Sequence, residues 1–322
     1  MKELIIRKFE HTDVDAFIRI SQSSFAEESI AAGITPEDFE LETRRIFRWK
    51  MIPYRLLTML MGVKWEAFVA EKDGVVVGGG MYIGQKDHMT LTNLMVDPQY
   101  RRQGIGQALL VKRLERLTER GFPYVTTQVL ETNTASLQNL RKQNFEVYNQ
   151  YSVYEHDLPL TTRNDPALAI REVNSSDRVL FRNMEKTITS PFALFVNGSA
   201  ESQYFPSGWQ KLFTRFTGYS RWIKALVVEG ETIGFLGASY HRRQSKGSLL
   251  QPILPNKHLA HLPAMIQAAG SWLADSGKAS MILEISDQRS EVRDYLLGNG
   301  WRKTYTWLEL IKWLDEQARP NI

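Results

Sequence analysis

The residues with the clearest chemical potential form a short basic loop with two glycines. Arg101 and Arg102 precede Gly104 and Gly106, and the loop follows an apolar strand predicted over residues 91–96. A helix is predicted to begin at the second glycine. Such a junction directs unpaired backbone N–H groups and the positive end of the helix dipole outward, and glycine lets an anion approach the main chain. The stretch therefore predicts a site for an anion such as a diphosphate.

The helix after the loop is predicted to be amphipathic and to end at Gly121. Its charged side chains, Arg113 among them, are expected to face solvent. Its predicted apolar stripe consists of Leu110, Val111, Leu114 and Leu117.

Two other phosphate-binding loops do not fit this stretch. A dinucleotide-binding loop needs a third glycine where the chain has Leu109, and a triphosphate-binding loop needs Gly-Lys followed by Ser or Thr, which the chain lacks. On the glycine pair alone, a strand–turn–helix connection without any ligand is an equal alternative.

Length and composition exclude several classes of protein. A chain of 322 residues has the size of two domains, and a net charge of +4 does not require a nucleic-acid partner. The absence of cysteine excludes disulfides, thiolate nucleophiles and cysteine-based zinc sites. No apolar stretch has the length of a membrane span or a signal peptide, so we expect a cytoplasmic protein without a membrane partner. His258 and His261 lie close together but lack an acidic neighbour, so we expect no metal.

The loop resembles the coenzyme A diphosphate loop of the GNAT acetyltransferase superfamily. The pattern Gln/Arg-x-x-Gly-x-Gly/Ala is matched by Arg101, Gly104 and Gly106, and the preceding Val-Asp-Pro-x-Tyr-Arg is similar to the usual lead-in. A second motif of the family, Asn-x-x-Ala/Ser followed by Gly-Phe, is matched by Asn133 and Ser136, then by Asn-Phe at residues 144–145. The two matches follow each other in the expected order.

The resemblance implies acetyl-CoA as cosubstrate and no metal. The diphosphate would bind the N–H groups from Arg102 to Gln107, the pantetheine arm would follow the strand 94–96, and an N–H near Met95 or Val96 would polarise the thioester carbonyl. The second motif would contact the pantetheine or the adenine. The implied coenzyme-binding residues are Leu94, Met95, Val96, Arg101, Arg102, Gln103, Gly104, Ile105, Gly106, Gln107, Asn133, Ser136 and Asn139.

The sequence does not identify the catalytic acid or base. Leu140 stands where the family commonly has a tyrosine that protonates the departing thiolate, so the acid could be another tyrosine or water. Strand positions where relatives often place an acidic residue hold neutral side chains, and Glu131 lies near them. The open alternatives are Tyr148, Tyr151, Tyr154 or water as the acid, with Thr90, Thr92 and Gln128 at the three neutral positions.

The chain contains an internal repeat. Residues 170–177 follow residues 6–13 at a shift of 164, whereas Gly230 follows Gly74 and Gly300 follows Asn144 at a shift of 156. Opposite the basic loop, residues 252–262 have no glycine pair and no arginine. The second copy is therefore expected to keep the fold and to lack the coenzyme site.

These observations predict an α/β fold with a mixed sheet. We expect two tandem GNAT-like domains, each with a mostly antiparallel central sheet flanked by helices: residues 1–158 carry the acetyl-CoA site, 159–168 form a linker, and 169–322 are the degenerate copy. The resemblance implies an N-acetyltransferase that moves an acetyl group directly to a primary amine of a small molecule or peptide. The alternative is a coenzyme-A-binding sensor or assembly protein without turnover. Either a monomer or a homodimer is compatible with the sequence.

Two further stretches have a structural and a functional reading. Residues 39–61 are rich in large apolar side chains, which indicates a pair of core helices or the wall of an acceptor pocket. Gly78, Gly79 and Gly80 lie inside a predicted strand, which indicates close backbone approach, a bulge or a flexible strand.

Overall fold

The computed structural model describes residues 4–24, 63–85, 88–160, 167–210, 214 and 217–321. The apolar segment 39–61 lies outside these residues. The chain forms two compact units: unit 1 comprises Met1–Val147 and Leu308–Asn321, and unit 2 comprises Tyr148–Trp307. Strands and helices are numbered below in chain order among the described residues.

Unit 1 is a mixed sheet with helices. Neighbouring strands follow the order β1-β2-β3-β4-β5, then the last six residues of β12; β1 to β4 are antiparallel, and β4 and β5 are parallel. The mixed α/β sheet expected from the sequence is confirmed. The elements are β1 Leu4–Lys8, α1 Val14–Ser24, β2 Val63–Lys72, β3 Val75–Gln85, β4 His88–Val96, α2 Ile105–Glu119, β5 Tyr124–Leu130 and α3 Thr134–Arg141.

The main core of unit 1 lies between the sheet and helices α2 and α3. Apolar side chains of α2 such as Leu110 and Leu114 pack there with Val125 and Val129 of β5, and with Leu308 from the C-terminal strand. Val125 and Val129 lie on the same face of β5, because residues an even number of positions apart in a strand share a face. The burial also overturns one prediction: Arg113 does not face solvent but is 1% exposed.

Unit 2 repeats much of this plan. Its strands follow the order β6-β11-β10-β9-β8-β7, and the first six residues of β12 lie beside β6. Strand β6 is one long strand, and no turn interrupts its antiparallel pairing with β11. The elements are β6 Glu146–Asp157, β7 Ala169–Glu172, α4 Asp177–Ile188, α5 Pro191–Asn197, α6 Glu201–Tyr204, β8 Tyr219–Val228, β9 Glu231–His241, β10 Lys246–Leu249, α7 Leu262–Asp275, β11 Ser280–Ser286, α8 Ser290–Gly298 and β12 Arg302–Trp313.

Local structure recurs at the shifts found in the sequence. Arg7 makes a two-point hydrogen-bonded ion pair with Asp13, and Arg171 makes the same pair with Asp177. The left-handed turn at residues 73–74 recurs at 229–230, and Asn144 and Gly300 are both left-handed. A register shift follows Ala70 in the first hairpin and Leu226 in the second.

The compact units differ in extent from the domains expected from the sequence. Strand β6 lies almost wholly in unit 2, and residues 308–321 belong to unit 1. The compact units show which residues pack together, and the sequence repeat shows which segments of the two halves correspond. These are different properties, so the division at residues 158 and 169 stays a prediction. Among the described helices, none is long and apolar enough to span a membrane.

Candidate functional site

Asp97 fixes the chain where β4 leads into the basic loop. Its main-chain N–H donates to the carbonyl of Val77 at 2.9 Å, and its carboxylate accepts hydrogen bonds from Arg19 Nη1 at 2.5 Å and from the Gln99 N–H at 3.1 Å. The hydrogen bond from Arg19 lowers the pKa of the Asp97 carboxyl, which is therefore ionised at neutral pH. The loop thus starts from a firmly held residue.

The loop then turns through two left-handed residues into a helix. Arg102 has φ 60° and Gly104 has φ 79°, and α2 begins without a side-chain cap. Its first hydrogen bond runs from the Ala108 N–H to the Gly104 carbonyl at 3.0 Å. Within the described ranges, the backbone N–H groups of residues 102–107 donate to no protein acceptor. This helix N-terminus presents open donors of the kind that bind phosphate groups.

Gly106 leaves space between the loop and two neighbouring elements. A Cβ atom at this position would lie 3.5 Å from Asn139 Nδ2 and 3.7 Å from Val96 Cγ2. Gln107, one residue on, has a buried Oε1 with no hydrogen-bond partner in the described part of the chain. The structure therefore brings together four of the residues predicted from the sequence, around a space that a side chain at 106 would fill.

Cationic side chains lie at the same loop. Arg101 donates from Nε to the Val96 carbonyl at 3.1 Å, and Lys72 donates from Nζ to Gln103 Oε1 at 2.7 Å. The sequence analysis did not single out Lys72, which lies at the end of β2, about thirty residues before the loop. Only the pairing of the strands brings it there, so no local signal could have identified it.

Strands β4 and β5 separate beside the loop. They pair from His88 with Tyr124 to Leu91 with Thr127, where Thr127 Oγ1 donates to the Leu91 carbonyl at 3.0 Å. Beyond this point β4 continues to residue 96 and β5 to residue 130 without further pairing between them in the described residues. The result is a gap along which the main chains of β4 and β5 do not pair with each other in the described residues.

The alternation of the strand identifies one donor at this gap. The Asp97 N–H points to β3, where it donates to Val77. Successive residues of a strand direct their N–H groups to opposite sides, so the Val96 N–H points away from β3 and towards the gap. Of the two donors predicted from the sequence, the geometry favours Val96 over Met95.

A bulge in β4 lies next to this donor. Met81 pairs with Thr92, and the next pair in register is Gly79 with Met95, so one residue of β3 opposes two of β4. The first of those two, Asn93, has φ 53°. A bulge of this kind bends the strand and increases its twist, which accords with the separation of β4 from β5.

The three consecutive glycines of β3 are explained by close approach. A Cβ atom would lie 2.9 Å from the Met95 carbonyl oxygen at Gly78, 3.0 Å from the Phe17 ring at Gly79, and 2.9 Å from Arg113 Cζ at Gly80. These distances are shorter than van der Waals contact, so a larger residue would displace the neighbour. Close approach together with a bulge, and not a flexible strand, accounts for the glycines.

A polar row crosses the face of the sheet opposite α2. Thr90 Oγ1 and Thr126 Oγ1 are 3.0 Å apart, and Gln128 Nε2 donates to Glu309 Oε1 at 3.0 Å. Gln128 is the first residue of β5 beyond its pairing with β4. Glu309 is only 6% exposed. It is a carboxylate that the sequence analysis missed, because it lies on β12, 181 residues from Gln128.

The second motif forms the start of α3. Asn133 caps the helix by accepting from the Ser136 N–H at 3.1 Å, and the left-handed Asn144 follows the end of the helix. Leu140, at the family's tyrosine position, is buried in the core of unit 1. Of the α3 residues predicted to bind the coenzyme, Asn139 is the one placed beside Gly106.

The remaining acid and base candidates are dispersed. Tyr148 donates to Asn197 Oδ1 at 2.7 Å, Tyr151 is half-buried, and Tyr154 is fully buried, which raises its pKa. All three lie in unit 2. Glu131 is exposed in the turn after β5. No described contact within unit 1 places any of these four side chains at the loop.

Comparison with known families assigns this region. Residues 35–145, which include the loop, the gap and α3, match the model of the Acetyltransferase (GNAT) family. The chain contains a GNAT acetyltransferase domain. The resemblance seen in the two motifs is confirmed by this match.

The relatives of this GNAT domain by sequence are protein acetyltransferases. The [ribosomal protein bS18]-alanine N-acetyltransferase of Escherichia coli (strain K12) is 32% identical over 82 residues, which are 26% of this chain and 53% of that protein. The chain thus spans about half the length of the curated relatives it matches.

Solved structures with the same fold cover both halves of the chain. A tandem GNAT protein from the clavulanic acid biosynthesis pathway has a TM-score of 0.64 at 13% identity, over 99% of this chain and 100% of its own. A GCN5-related N-acetyltransferase from Sphaerobacter thermophilus has a TM-score of 0.65 at 15% identity, over 99% and 97%. At this identity the likeness shows the tandem fold alone.

Proposed function

We propose that the protein is an acetyl-CoA-dependent N-acetyltransferase that moves the acetyl group directly to a primary amine. The observation that carries the proposal is the open helix N-terminus at residues 104–107, which lies beside the gap between β4 and β5. The family match of the same region supports it.

The residues at the loop fit a diphosphate. The donors of residues 102–107 have no protein acceptor among the described residues, Gly106 leaves space beside Asn139, and Lys72 and Arg101 add positive charge. Backbone donors at a helix N-terminus bind an anion without needing further side chains. No protein atom among the described residues lies within 4 Å of the position that a Cβ would take at Gly104, so this residue faces open space.

The gap between the strands fits the pantetheine arm. The arm is an extended chain with two amide groups, and residues 94–96, which do not pair with β5 in the described structure, offer main-chain partners for it. The Val96 N–H would then donate to the thioester carbonyl, where a preorganised donor stabilises the negative charge of the transition state by about 3 kcal/mol. Acetyl-CoA supplies the activated acetyl group as cosubstrate.

Glu309 is our candidate for the group that accepts the proton of the amine. It is a buried carboxylate held by Gln128 at the edge of the gap, on the face opposite α2. A general base must lie within hydrogen-bond reach of the proton that it removes, directly or through one water. Gln128 is a neutral side chain at a position where relatives often place an acidic residue, and in this proposal the carboxylate that Gln128 binds takes the role of that acid.

The acceptor class proposed for the first test is a peptide N-terminus. The related E. coli enzyme is an alanine N-acetyltransferase of a ribosomal protein. The acid that protonates the departing thiolate stays open between water and a tyrosine of β6. The division into a competent domain, residues 1–158, and a degenerate copy, residues 169–322, is retained as part of this proposal.

The test is release of free coenzyme A thiol from acetyl-CoA in the presence of amines. The purified chain is incubated with acetyl-CoA and a panel comprising an N-terminal alanine peptide, free lysine, a polyamine and an aminoglycoside. We expect thiol release that depends on at least one amine, together with a mass increase of one acetyl group on that amine. Tight binding of acetyl-CoA with no release across the panel would indicate the alternative, a sensor without turnover.

A further inference from the structure

Arg113 is a cation enclosed in the core of unit 1. Its side chain is 1% exposed, and it donates from Nε to the Leu109 carbonyl at 3.1 Å and from Nη1 to the carbonyls of Met81 at 3.1 Å and Thr92 at 3.3 Å. Its hydrogen-bond partners among the described residues are all neutral main-chain groups. Burial lowers its pKa to about 10, so the guanidinium stays charged at neutral pH.

The position of this charge coincides with the bulge of β4. Met81 and Thr92, whose carbonyls it binds, are the last pair in register before the bulge. The guanidinium lies directly against Gly80, which opposes the two bulged residues, and a Cβ atom there would be 2.9 Å from Arg113 Cζ. The main chain of β3 therefore contacts the guanidinium directly at Gly80, where a side chain would not fit.

A buried charge without a counter-charge is costly, and proteins retain such groups where the charge has a use. The bulge that Arg113 binds is followed within four residues by Val96, whose N–H points to the gap. In a site of low dielectric, a fixed positive charge stabilises a nearby developing oxyanion more strongly than the same charge would in water.

We propose that Arg113 is a positioning residue of the acetyl-transfer site, which fixes the bulge of β4 and polarises the thioester carbonyl of bound acetyl-CoA through its buried charge. The inference rests on the proposed function. It adds a residue on α2 that does not touch the coenzyme and acts through the main chain of β4 and through its electric field.

The test measures the carbonyl itself and needs no acceptor. Acetyl-CoA labelled with ¹³C at the carbonyl is bound to the full chain, and the carbonyl stretching frequency is recorded by difference infrared spectroscopy with the affinity from calorimetry. In the wild type the frequency falls on binding. In Arg113→Met it returns most of the way to the value in solution, while the Kd changes by less than about threefold, because the diphosphate supplies most of the binding.

Three variants make the result specific. Arg113→Lys keeps a charge but reaches fewer carbonyls, so an intermediate frequency is expected. Gly80→Ala keeps the arginine but displaces its guanidinium, so the frequency should rise partly even if Arg113→Met does not fold. Lys112→Met removes an exposed charge one residue away on the same helix and should leave the frequency unchanged.

The outcomes separate the inference from the proposed function. A carbonyl frequency that stays at its wild-type value in folded Arg113→Met, or in Gly80→Ala where the methionine variant does not fold, overturns the role of Arg113 alone. Failure of the wild type to bind acetyl-CoA overturns the proposed function, and the inference with it.

Discussion

The longest described helix begins in a different way in each copy of the repeat. In the first copy α2 starts after Gly104, which is left-handed and leaves the following N–H groups open. In the second copy α7 starts after a 3-10 turn at Asn256–His261, and Pro263 in its first turn has no N–H to donate. Both helices pack apolar faces on a core. The fold therefore needs only the apolar face of this helix, whereas an anion site also needs an open start.

The caps of the next helix differ in the same sense. Asn133 caps α3 in the first copy, and Arg289 stands at the corresponding position before α8. Arg289 is 4% exposed and donates from Nη2 to the Leu254 carbonyl at 2.9 Å. In the second copy a side chain of the protein thus binds main-chain groups beside this helix, where the first copy has an exposed asparagine.

The largest effect is expected from a carboxylate placed at the open helix start. Gly104→Glu should weaken acetyl-CoA binding by at least about a hundredfold, because it adds like charge beside the diphosphate and strains a left-handed position. The measurement is the Kd by calorimetry.

Ala260→Glu is the matched control, because Ala260 is the exposed counterpart of Gly104 at the shift of 156. It should bind acetyl-CoA like the wild type. Equal losses in both variants would contradict the assignment of the site to the first copy.

Removing the charge of Glu309 should affect turnover and not binding. Glu309→Gln is expected to slow amine-dependent thiol release by about a hundredfold, the usual contribution of a general base, with an unchanged Kd for acetyl-CoA. Rates are measured on the best amine of the panel. Glu316→Gln, at an exposed position after β12, serves as the control. An unchanged rate in Glu309→Gln would exclude this carboxylate as the base.

A smaller effect is expected at Lys72. Lys72→Met should weaken acetyl-CoA binding by about fivefold and make it less sensitive to salt, because it removes one cation at the loop. The Kd is measured between low and high salt. Lys112→Met removes an exposed charge further along α2 and should change neither quantity. A salt dependence that matches the wild type would place Lys72 outside the reach of the ligand.

The arginine–aspartate ion pair that occurs in both copies should contribute to the free energy of unfolding. Asp13 and Asp177 each accept two hydrogen bonds from an arginine, so Asp13→Asn and Asp177→Asn should each lower the free energy of unfolding by about 2 kcal/mol at pH 7. The hydrogen bonds from Arg171 lower the pKa of Asp177. Burial raises the pKa of Asp13, but the hydrogen bonds from Arg7 and from the Glu10 N–H, together with the charge of Arg7, lower it overall.

The pH dependence of this effect follows from its sign. A carboxyl with a lowered folded pKa stabilises the fold above its unfolded pKa of about 4, and this stability is lost as the pH falls through the folded pKa. The free energy of unfolding, measured in urea, should therefore differ less and less between wild type and each variant as the pH falls from about 5 to about 3, the range around the unfolded pKa. A difference that persists at the acidic end would show that the ion pairs are not its source.

The sequence predicts the features that depend on neighbouring residues. The strand that ends at Val96, the start of α2 at the glycine pair and the end of α2 before Gly121 follow from local propensity and turn chemistry. Arg113 was predicted wrongly, because the charge pattern of a helix does not show that Gly80 leaves room for a guanidinium across the sheet.

The long-range features of the site could not be predicted in this way. Glu309 lies 181 residues from Gln128 in the sequence. No sequence signal shows that residues 308–321 pack with unit 1. Lys72 reaches the loop only through strand pairing. The repeat, in contrast, is visible in the sequence because its later landmarks keep a constant shift of 156.

The central claim is that the chain has one coenzyme site and that this site lies in the first copy. Calorimetric titration of the full chain with acetyl-CoA tests it most directly through the number of molecules bound. The account predicts one acetyl-CoA per chain in the wild type and in Ala260→Glu, and none in Gly104→Glu. Two molecules per chain, or one molecule retained by Gly104→Glu, would contradict it.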